Sequence, residues 1–262
     1  MLGGGLMRVL ITNDDGIDAP GIAALARAVR ADGHEVVVAA PAQEASGMSA
    51  ALTAVTVRGR IAVARRPDGY AVAASPAYIV MMAANGAFGP VPEVVLSGIN
   101  RGANAGNAIL YSGTVGAALA AAGHGLRAMA VSLDVLTTTA GSPSFVIPAD
   151  DALHWDTAAV MAAGLLGEVA ALAPGTILNL NVPDLPAPPP LRTTTLAFGG
   201  QARMTIAEAG DDFMRTAFLP EPEPPAPGTD LATLTEGYAT LTALRPPAEV
   251  PFTIPRQRTG GR

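Results

Sequence analysis

Two adjacent aspartates stand where a short apolar segment ends. Asp14 and Asp15 belong to the sequence Asn13-Asp14-Asp15-Gly16, which directly follows the strand-like residues 8–12. Neighbouring carboxylates repel each other, and a divalent cation relieves that repulsion. Carboxylate ligands select hard cations such as Mg²⁺, Mn²⁺ or Ca²⁺. The same residues also form ordinary surface turns, so this segment alone leaves a turn and a metal site open.

Two other polar loops follow strand-like runs. Residues 46–49 read Ser-Gly-Met-Ser and come shortly after the apolar run 36–40. Residues 97–107 follow the apolar run 94–96 and are rich in glycine, amide and hydroxyl groups. Glycine lets a backbone approach a ligand closely. Each loop alone is typical of a flexible connection, but three polar loops after three strands indicate a shared site.

Hydroxyl residues before a helix offer a second kind of chemistry. Ser112-Gly113-Thr114 leads into the helical run 114–122. Free N–H groups at a helix start bind anions, and phosphate suits such a position. A Ser or Thr cap at the end of a flexible loop is the alternative interpretation of the same residues.

These segments need a sheet that brings their ends together. Between the runs 8–12 and 36–40, apolar residues recur at helical spacing, namely Ile22, Leu25, Ala26 and Val29. We expect Asp18 to cap this helix, with Pro20 in its first turn. A strand, a helix and a strand in this order predict parallel strands with a right-handed crossover. Ligands of open α/β sheets bind at the carboxyl ends of the strands, where the polar loops are therefore expected to converge.

The rest of the chain continues this pattern and then changes character. Further strands are predicted at 61–64, 70–72, 94–97, 128–133 and 176–182, and further helices at 75–84, 114–122 and 152–171. Residues 98–112 are expected to form a loop. After Pro183, the segments 186–190 and 220–227 are rich in proline, which regular helices and central strands exclude. A strand is expected within 233–243, before a loose tail to Arg262.

The sequence thus predicts the α/β class, with a doubly wound, mostly parallel sheet. Residues 1–183 are expected to form the catalytic core. Residues 184–262 are expected to form a C-terminal extension of β-hairpins and proline-rich loops, within one continuous domain.

Composition excludes several kinds of chemistry. The chain has 262 residues, a net charge of −6 and no basic block, which does not suit a nucleic-acid-binding protein. It contains no Lys, which excludes the lysine-containing phosphate loop and Schiff-base catalysis. It contains no Cys, which excludes thiolate nucleophiles and thiolate metal sites. Its three histidines, His34, His124 and His154, are far apart, so a cation would need oxygen ligands.

No segment of the sequence predicts insertion into a membrane. Residues 1–6 lack the basic start and the long apolar run of a signal peptide, and Met7 is an alternative start. The charge-free stretch 102–126 contains too many Gly and Asn residues for a membrane span. We therefore expect a soluble, cytoplasmic protein.

Taken together, the motifs resemble those of SurE (survival protein E), a family of metal-dependent nucleotidases. The matching segments are Ile11-Thr12-Asn13-Asp14-Asp15-Gly16 with Ala19-Pro20-Gly21, Ala40-Pro41 with Ser46-Gly47 and Ser49, Ser97-Gly98-Ile99-Asn100 with Gly102 and Asn104, Tyr111-Ser112-Gly113-Thr114-Val115, Asn179-Leu180-Asn181-Val182-Pro183, and Thr229-Asp230 with Gly237-Tyr238. They keep the family's order over most of the chain. Their combination is specific, whereas each piece alone is not.

The resemblance implies a Rossmann-like core and hydrolysis of nucleoside monophosphates by a 5′-nucleotidase or acid-phosphatase-like phosphomonoesterase. It implies that Asp14, Asp15, Ser46 and Asn100 bind one divalent cation per subunit, Mg²⁺ or Mn²⁺. It also implies that Asn104, Ser112, Gly113 and Thr114 line the phosphate site. The family's C-terminal arms reach between subunits, so a homodimer or homotetramer is expected, with no nucleic-acid duplex or membrane as partner.

Three positions depart from the family pattern. The family usually has Thr-Pro-Ala-Asp where this chain has Ser75-Pro76-Ala77-Tyr78, an acidic residue at Asn107, and basic and polar residues at Gln43-Glu44-Ala45. None of these changes removes an expected metal ligand. Tyr78 falls at the third position of a helix capped by Ser75, where an acid would form a capping box and meet the helix dipole. A place in the nucleobase pocket is the alternative for Tyr78.

Hydrolysis at such a site would use a water molecule activated by the cation, with direct attack by an Asp carboxylate as the alternative. Ser112, Thr114 and backbone N–H groups would stabilise charge on the phosphoryl group. Two other functions fit a similar pocket. A sugar-nucleotide glycosyltransferase would need a second full domain, for which about 80 residues after Pro183 are too few. A non-catalytic nucleotide-binding protein would bind without turnover.

Overall fold

The computed structural model describes residues 5–135, 137–138, 145–146, 148–199, 202–220, 223–249 and 251. The strands are β1 (Arg8–Thr12), β2 (Glu35–Pro41), β3 (Thr56–Val57), β4 (Arg60–Ile61), β5 (Val63–Arg66), β6 (Gly69–Val72), β7 (Val94–Arg101), β8 (Arg127–Asp134), β9 (Thr137–Thr138), β10 (Phe145–Val146), β11 (Ile177–Pro183), β12 (Leu191–Thr193), β13 (Ala202–Ala209), β14 (Met214–Pro220) and β15 (Ala239–Leu244). The helices are α1 (Pro20–Ala31), α2 (Pro76–Ala84), α3 (Gly113–Gly123), α4 (Trp155–Gly164), α5 (Leu166–Ala170) and α6 (Asp230–Thr235), with 3₁₀ turns at Gly106–Leu110 and Asp150–Ala152.

A nine-stranded sheet lies at the centre, in the order β12-β15-β11-β8-β7-β1-β2-β6-β5. Neighbouring strands from β11 to β6 are parallel, whereas β15 and β5 are antiparallel to their inner neighbours. The predicted mostly parallel α/β sheet is therefore confirmed. Strands β12 and β15, which follow Pro183 in the chain, belong to this sheet, while β13 and β14 pair with each other outside it.

Helices cover both faces of the sheet, and for this reason its strands are apolar at successive positions. Val9 and Ile11 pack in a core cluster with residues of α1 and α4. Leu10, which points to the other face, packs in a second cluster with residues of α2 and α3. Packing in the two apolar layers holds the parallel strands in register, so that their carboxyl ends lie at one edge of the sheet.

The start of α1 differs from the prediction. Ala19 occupies the cap position, no side chain caps the helix, and Pro20 is its first residue. Asp18 instead forms an ion pair with Arg66. The expectation that Asp18 caps α1 was therefore wrong, because an ion-pair partner from a distant hairpin competes for the carboxylate.

Two other predicted elements have different bounds. The expected loop 98–112 begins with the last residues of β7 and contains the 3₁₀ turn Gly106–Leu110. The expected helix 152–171 is a 3₁₀ turn followed by α4 and α5, which meet at Leu165. Gly164 ends α4, and glycine is among the weakest helix formers, which accounts for the break.

Helix α2 begins as predicted, with Ser75 at the cap position and Tyr78 three residues later. The Ser75 hydroxyl makes no capping bond, since it donates to the carbonyl of Ala51 at 2.5 Å and accepts from the amide of Thr53 at 3.2 Å. The half-buried Tyr78 ring packs against the α2/α3 core cluster. Tyr78 thus has a packing role in place of the capping box that an acid would complete.

The C-terminal part contains a helix that the sequence analysis missed. The predicted strand is present as β15, but α6 precedes it, capped by Thr229. Most of the expected loose tail, residues 252–262, lies outside the described residues. Within the described part of the chain, no helix is both long and apolar enough to cross a membrane.

Helix α3 packs very closely on the loop after β2, and this contact can be tested. A Cβ atom at Gly116 would lie 2.3 Å from the backbone of Ser49, whereas one at Gly123 of the same helix meets nothing within 4 Å. We expect Gly116→Ala to lower the free energy of unfolding by about 1–3 kcal/mol, because backbone must move. Gly123→Ala should raise it by up to about 1 kcal/mol. Denaturant unfolding of both variants measures this, and equal stabilities would contradict the contact.

Candidate active site

The polar loops named above meet at the carboxyl edge of the sheet. Strand β1 pairs with β2 on one side and with β7 on the other, and Thr12 lies opposite Ser97 in the β1–β7 register. The loops that follow these three strands are therefore neighbours. Helix α3 begins at the same edge.

Asn13 fixes the turn that presents the two aspartates. Its side chain is fully buried, donates to the carbonyl of Gly16 at 2.9 Å and accepts from the amide of Gly16 at 3.2 Å. Gly16 has a φ of +99°, a conformation that suits glycine. Asn13 thus sets the direction of Asp14 and Asp15, a role that the sequence analysis did not assign to it.

Asp14 is buried beneath the start of α3, with 3% of the residue exposed. The Thr114 hydroxyl donates to its Oδ1 atom. A Cβ atom at Gly113 would lie 2.7 Å from Asp14 Oδ2, so the backbone of α3 reaches the carboxylate only because residue 113 is glycine. The Asp14 carbonyl accepts from the amide of Ala45 at 2.7 Å, which holds the loop after β2 against β1.

Asn100 and Asp15 lie beside this contact. Asn100 Oδ1 is 3.3 Å from the Thr114 hydroxyl, and its Nδ2 donates to the carbonyl of Gly102 at 2.8 Å. Asp15 Oδ2 accepts from the backbone amide of Arg101 at 3.2 Å. The structure therefore brings together Asp14, Asn100 and Thr114, with Asp15 held by the end of β7.

Burial dominates the electrostatics of the first aspartate. It raises the pKa of the Asp14 carboxyl above its ordinary value. Hydrogen bonds from the Thr114 hydroxyl and from backbone N–H groups, including that of Gly113, act in the opposite direction because they favour the ionised form.

The second aspartate is more strongly affected. Burial, followed by repulsion from Asp14, raises the pKa of Asp15 to about 7. The charges of Glu44 and Asp150 add to this rise, while the hydrogen bond from the Arg101 amide opposes it. Two carboxylates that resist simultaneous ionisation favour a nearby positive charge.

Ser46 lies at the rim of this group. It is exposed, and its hydroxyl donates to Glu44 Oε1 at 2.7 Å. Glu44 is thus an acidic neighbour of the site that the sequence analysis noted only as a departure from the family pattern. Its position within a loop, with no apolar periodicity around it, gave no signal of this neighbourhood.

Ser112 and Asn104 take different places. Ser112 caps α3, since its Oγ accepts from the amide of Val115 at 3.0 Å, and its own proton remains available to a ligand. Asn104 is buried at the ends of β8 and β11, where its Nδ2 donates to Ser132 Oγ at 2.9 Å and its amide to Asn181 Oδ1 at 2.7 Å. No hydrogen bond between described residues joins Asn104 directly to Asp14.

The donors at this edge fit a hard cation. Among the residues that the structure describes, no three His, Cys, Asp or Glu side chains cluster as a metal site. A cation at this edge would therefore need amide or hydroxyl oxygens in addition to the carboxylates of Asp14 and Asp15. Oxygen donors of this kind suit Mg²⁺ or Mn²⁺.

A separate cavity of about 510 Å³ opens between α1 and α4. Arg27, His154 and Trp155 are among the residues that line it, and none of the predicted site residues does. His154 contacts Asp184 Oδ1 through its backbone amide at 2.7 Å and through Nδ1 at 3.0 Å, which ties the start of α4 to the end of β11.

The doubly wound sheet, with an oxygen-rich carboxyl edge, defines a Rossmann-like α/β protein. Residues 9–204 match the model of the family described as Survival protein SurE. The chain belongs to this family.

Relatives and a solved structure agree with this assignment. The chain is 38% identical to the 5′-nucleotidase SurE of Xanthomonas campestris pv. campestris (strain B100) over 248 residues, covering 91% of this chain and 89% of the relative. It is 39% identical, with the same coverage, to the 5′-nucleotidase SurE of Xanthomonas oryzae pv. oryzae (strain PXO99A). The crystal structure of the SurE protein from Aquifex aeolicus superimposes with a TM-score of 0.74 at 26% identity, covering 91% of this chain and 93% of the other.

The raised pKa of Asp15 predicts how stability depends on pH when divalent cations are chelated. Between the ordinary value of 3.8 and about 7, Asp15 is ionised in the unfolded chain but protonated in the folded one. The unfolded state then binds fewer protons, so this group makes the free energy of unfolding fall as pH rises through that window. Asp15→Asn removes the effect. We expect its stability relative to wild type to increase by about 1–4 kcal/mol from pH 4 to pH 8.

Denaturant unfolding in the presence of a chelator, at both pH values, measures this difference. Asp68→Asn, in an exposed turn, is the matched control and should show no such change. A stability difference for Asp15→Asn that is the same at pH 4 and pH 8 would contradict the electrostatic account.

Proposed function

We propose that this protein is a 5′-nucleotidase, which hydrolyses nucleoside monophosphates to nucleosides and phosphate. The observation that carries the proposal is the contact of the Asp14 carboxylate with the start of α3, where Gly113 and Thr114 touch it. The contact supports the proposal because a cation held by Asp14 would lie beside a helix N-terminus, which is an anion-binding position. The names of the two Xanthomonas relatives support the same activity.

The start of α3 would bind the phosphate of the substrate. Ser112 offers a hydroxyl proton while its oxygen accepts from the amide of Val115, and a phosphate would share the amides of Gly113 and Thr114 with the Asp14 carboxylate. Gly113 lets the backbone of α3 approach Asp14 closely, and Asn104 would line the site from the β8 side. These donors would stabilise the charge that builds up on the phosphoryl oxygens.

Asp14, Asp15, Ser46 and Asn100 would hold one Mg²⁺ or Mn²⁺ ion per subunit. When bound, this ion supplies positive charge to the phosphoryl oxygens and lowers the pKa of water. The Thr114 hydroxyl donates to Asp14 Oδ1 and thereby orients the carboxylate, with Oδ2 remaining for the cation.

We assign the attack on phosphorus to water. Both carboxylates already accept hydrogen bonds, Asp14 from Thr114 and Asp15 from the Arg101 amide, and this engages them as ligands and acceptors. Water would form the new P–O bond as the bond to the nucleoside oxygen breaks, and the nucleoside would leave with a proton. A phosphoenzyme trapped on Asp14 or Asp15 would overturn this assignment.

We further propose a homodimer or homotetramer built from one continuous domain per subunit. The hairpin β13–β14 stands outside the central sheet and exposes apolar side chains, namely Met204, Ile206, Met214 and Leu219. Exposed apolar side chains that cluster on one element are typical of an interface. The hairpin is therefore the arm that would reach a second subunit.

The first functional test is release of phosphate from AMP. We expect turnover that a chelator abolishes and Mg²⁺ or Mn²⁺ restores. Asp14→Asn should lower kcat/KM by about a hundredfold or more, because a charged ligand is lost without a change of shape. Asp32→Asn, at the exposed end of α1, is the control and should behave as wild type. Nucleotide binding without turnover would indicate a non-catalytic nucleotide-binding protein instead.

A second test asks whether the start of α3 binds the phosphoryl group. Ser112→Ala should lower kcat/KM by about tenfold or more for every nucleoside monophosphate, since the phosphoryl group is common to all of them. Thr114→Val should lower it for every substrate as well, because Asp14 loses the hydroxyl that orients it. Thr157→Val is the control, because this buried hydroxyl donates to the carbonyl of Leu185 away from the site. A loss confined to one nucleobase would place these hydroxyls in a base pocket.

A further inference from the structure

The segment 104–106, between β7 and α3, is held through its backbone by buried side chains. The amide of Asn104 donates to Asn181 Oδ1 at 2.7 Å. Its carbonyl accepts from Asn179 Nδ2 at 2.8 Å and from Asn181 Nδ2 at 3.1 Å. The backbone N–H and C=O of Asn104 are thus both hydrogen bonded by side-chain amides of β11, in the way that the backbone of a neighbouring strand would bind them.

Two residues further on, the same segment is held from the C-terminal part of the chain. The amide of Gly106 donates to Asp230 Oδ2 at 2.8 Å. Asp230 Oδ1 accepts from the amides of Ala197 and Leu231, each at 2.8 Å. Asp230 is fully buried, and its partners are backbone N–H groups, which lose hydrogen bonds to water when they are buried and need such an acceptor.

Asn179 and Asn181 occupy positions of β11 at which apolar side chains would be expected to pack in the core. Leu178, Leu180 and Val182 pack in the α1/α4 core cluster, and Ile177 packs in the cluster on the other face. Because side chains alternate along a strand, Asn179 and Asn181 share the face of Ile177. Buried amides are costly unless they are hydrogen bonded. Asn181 is satisfied through both side-chain atoms by Asn104, and Asn179 through Nδ2, while Asn179 Oδ1 has no partner among the described residues.

The segment leaves little room for an alternative path. A Cβ atom at Gly106 would lie 2.4 Å from the carbonyl oxygen of Gly199, and the amide of Asn107 donates to that same oxygen at 2.6 Å. After the 3₁₀ turn Gly106–Leu110 the chain reaches Ser112. Asn179, Asn181 and Asp230 thus form a clamp on the backbone of residues 104–106. The clamp fixes the segment that leads to the start of α3.

We propose that Asn179, Asn181 and Asp230 are positioning residues for the hydrolysis, a role that rests on the proposed function. No hydrogen bond between described residues joins them to the start of α3, to Asp14 or to Asp15. They act through the backbone of residues 104–106. Through them Asn104 keeps its place beside the phosphate site, and Asp230 ties the C-terminal part of the chain to residues 104–106.

Asp230→Asn is the most informative variant, because it removes only the hydrogen bond between residue 230 and the Gly106 amide. Oδ1 accepts two N–H groups and Oδ2 accepts one, so the new amide should keep its oxygen at the first position. Its NH₂ group then faces the Gly106 amide, where no hydrogen bond can form. The contacts of Asp230 with Ala197 and Leu231 are retained.

We expect Asp230→Asn to lower kcat for AMP by about tenfold or more, with a smaller change in KM, as for misplaced reacting groups. Hydrogen exchange at the amides of residues 104–107 should be faster. The control is Thr229→Ala, which removes the cap of α6 and leaves the Gly106 contact. Measured below the Tm of both variants, the control should keep the kcat and the exchange rates of wild type.

Asn181→Leu is the second variant, and it removes two hydrogen bonds to Asn104 from the other end of the clamp. It should lower kcat in the same way. The double variant should lose less than the product of the single losses, because both changes release one segment. If Asp230→Asn does not fold, Asn181→Leu with the exchange measurement decides alone.

Unchanged kcat in the folded variants, or losses of kcat that Thr229→Ala shares at equal loss of Tm, would overturn the positioning role. Wild-type protein without turnover of any nucleoside monophosphate would overturn the proposed function and this role with it. The two failures are distinguishable, because the first leaves the wild type active.

Discussion

The burial of the Asp14 carboxylate beneath α3 is the contact on which the other features of the site depend. It requires a glycine at residue 113, a hydroxyl at residue 114 and a strand order that puts β1 between β2 and β7. It also places the end of β7 beside Asp15, whose pKa is raised first by burial and then by repulsion from Asp14. Fold and electrostatics are coupled at this one carboxylate.

Much of the fold could be predicted because the central strands are buried on both faces. Runs such as residues 9–11 are apolar at every position, and turn residues follow shortly after them. The bounds that failed depend on distant contacts. Asp18 has an ion pair with Arg66, which lies 48 residues away in the chain, and no local pattern contains that information. The helix α6 was missed because six residues are too few for a periodicity to stand out.

The site was predictable in part for a similar reason. Asp14 follows β1, Asn100 lies near the end of β7 and Thr114 lies in the first turn of α3, so the topology of a parallel sheet brings them to one edge. Asn13 and Glu44 lie next to them in space, but turn residues and exposed acids are too common to be singled out. Asn179 and Asn181 did carry a signal, because two amides at alternate positions of an apolar strand need buried partners. Which partners they have depends on a loop that only the folded chain brings near.

Charged side chains are compensated differently at the two edges of the sheet. At the amino edge, Arg8 forms an ion pair with Glu35 and donates to the carbonyl of Phe88, which satisfies the charges there. At the carboxyl edge, the chain collects two carboxylates of raised pKa and a fully buried Asp230, all of which lower stability unless other groups compensate. The compensation differs between them. Both carboxylate oxygens of Asp230 accept hydrogen bonds from backbone N–H groups, so Asp230 acts as a rigid support. Asp15 accepts one such hydrogen bond, which leaves lone pairs of its carboxylate for a positive charge. Asp230 and Asp15 therefore differ in hydrogen-bond satisfaction as well as in burial, since Asp230 is fully buried and Asp15 is partly exposed.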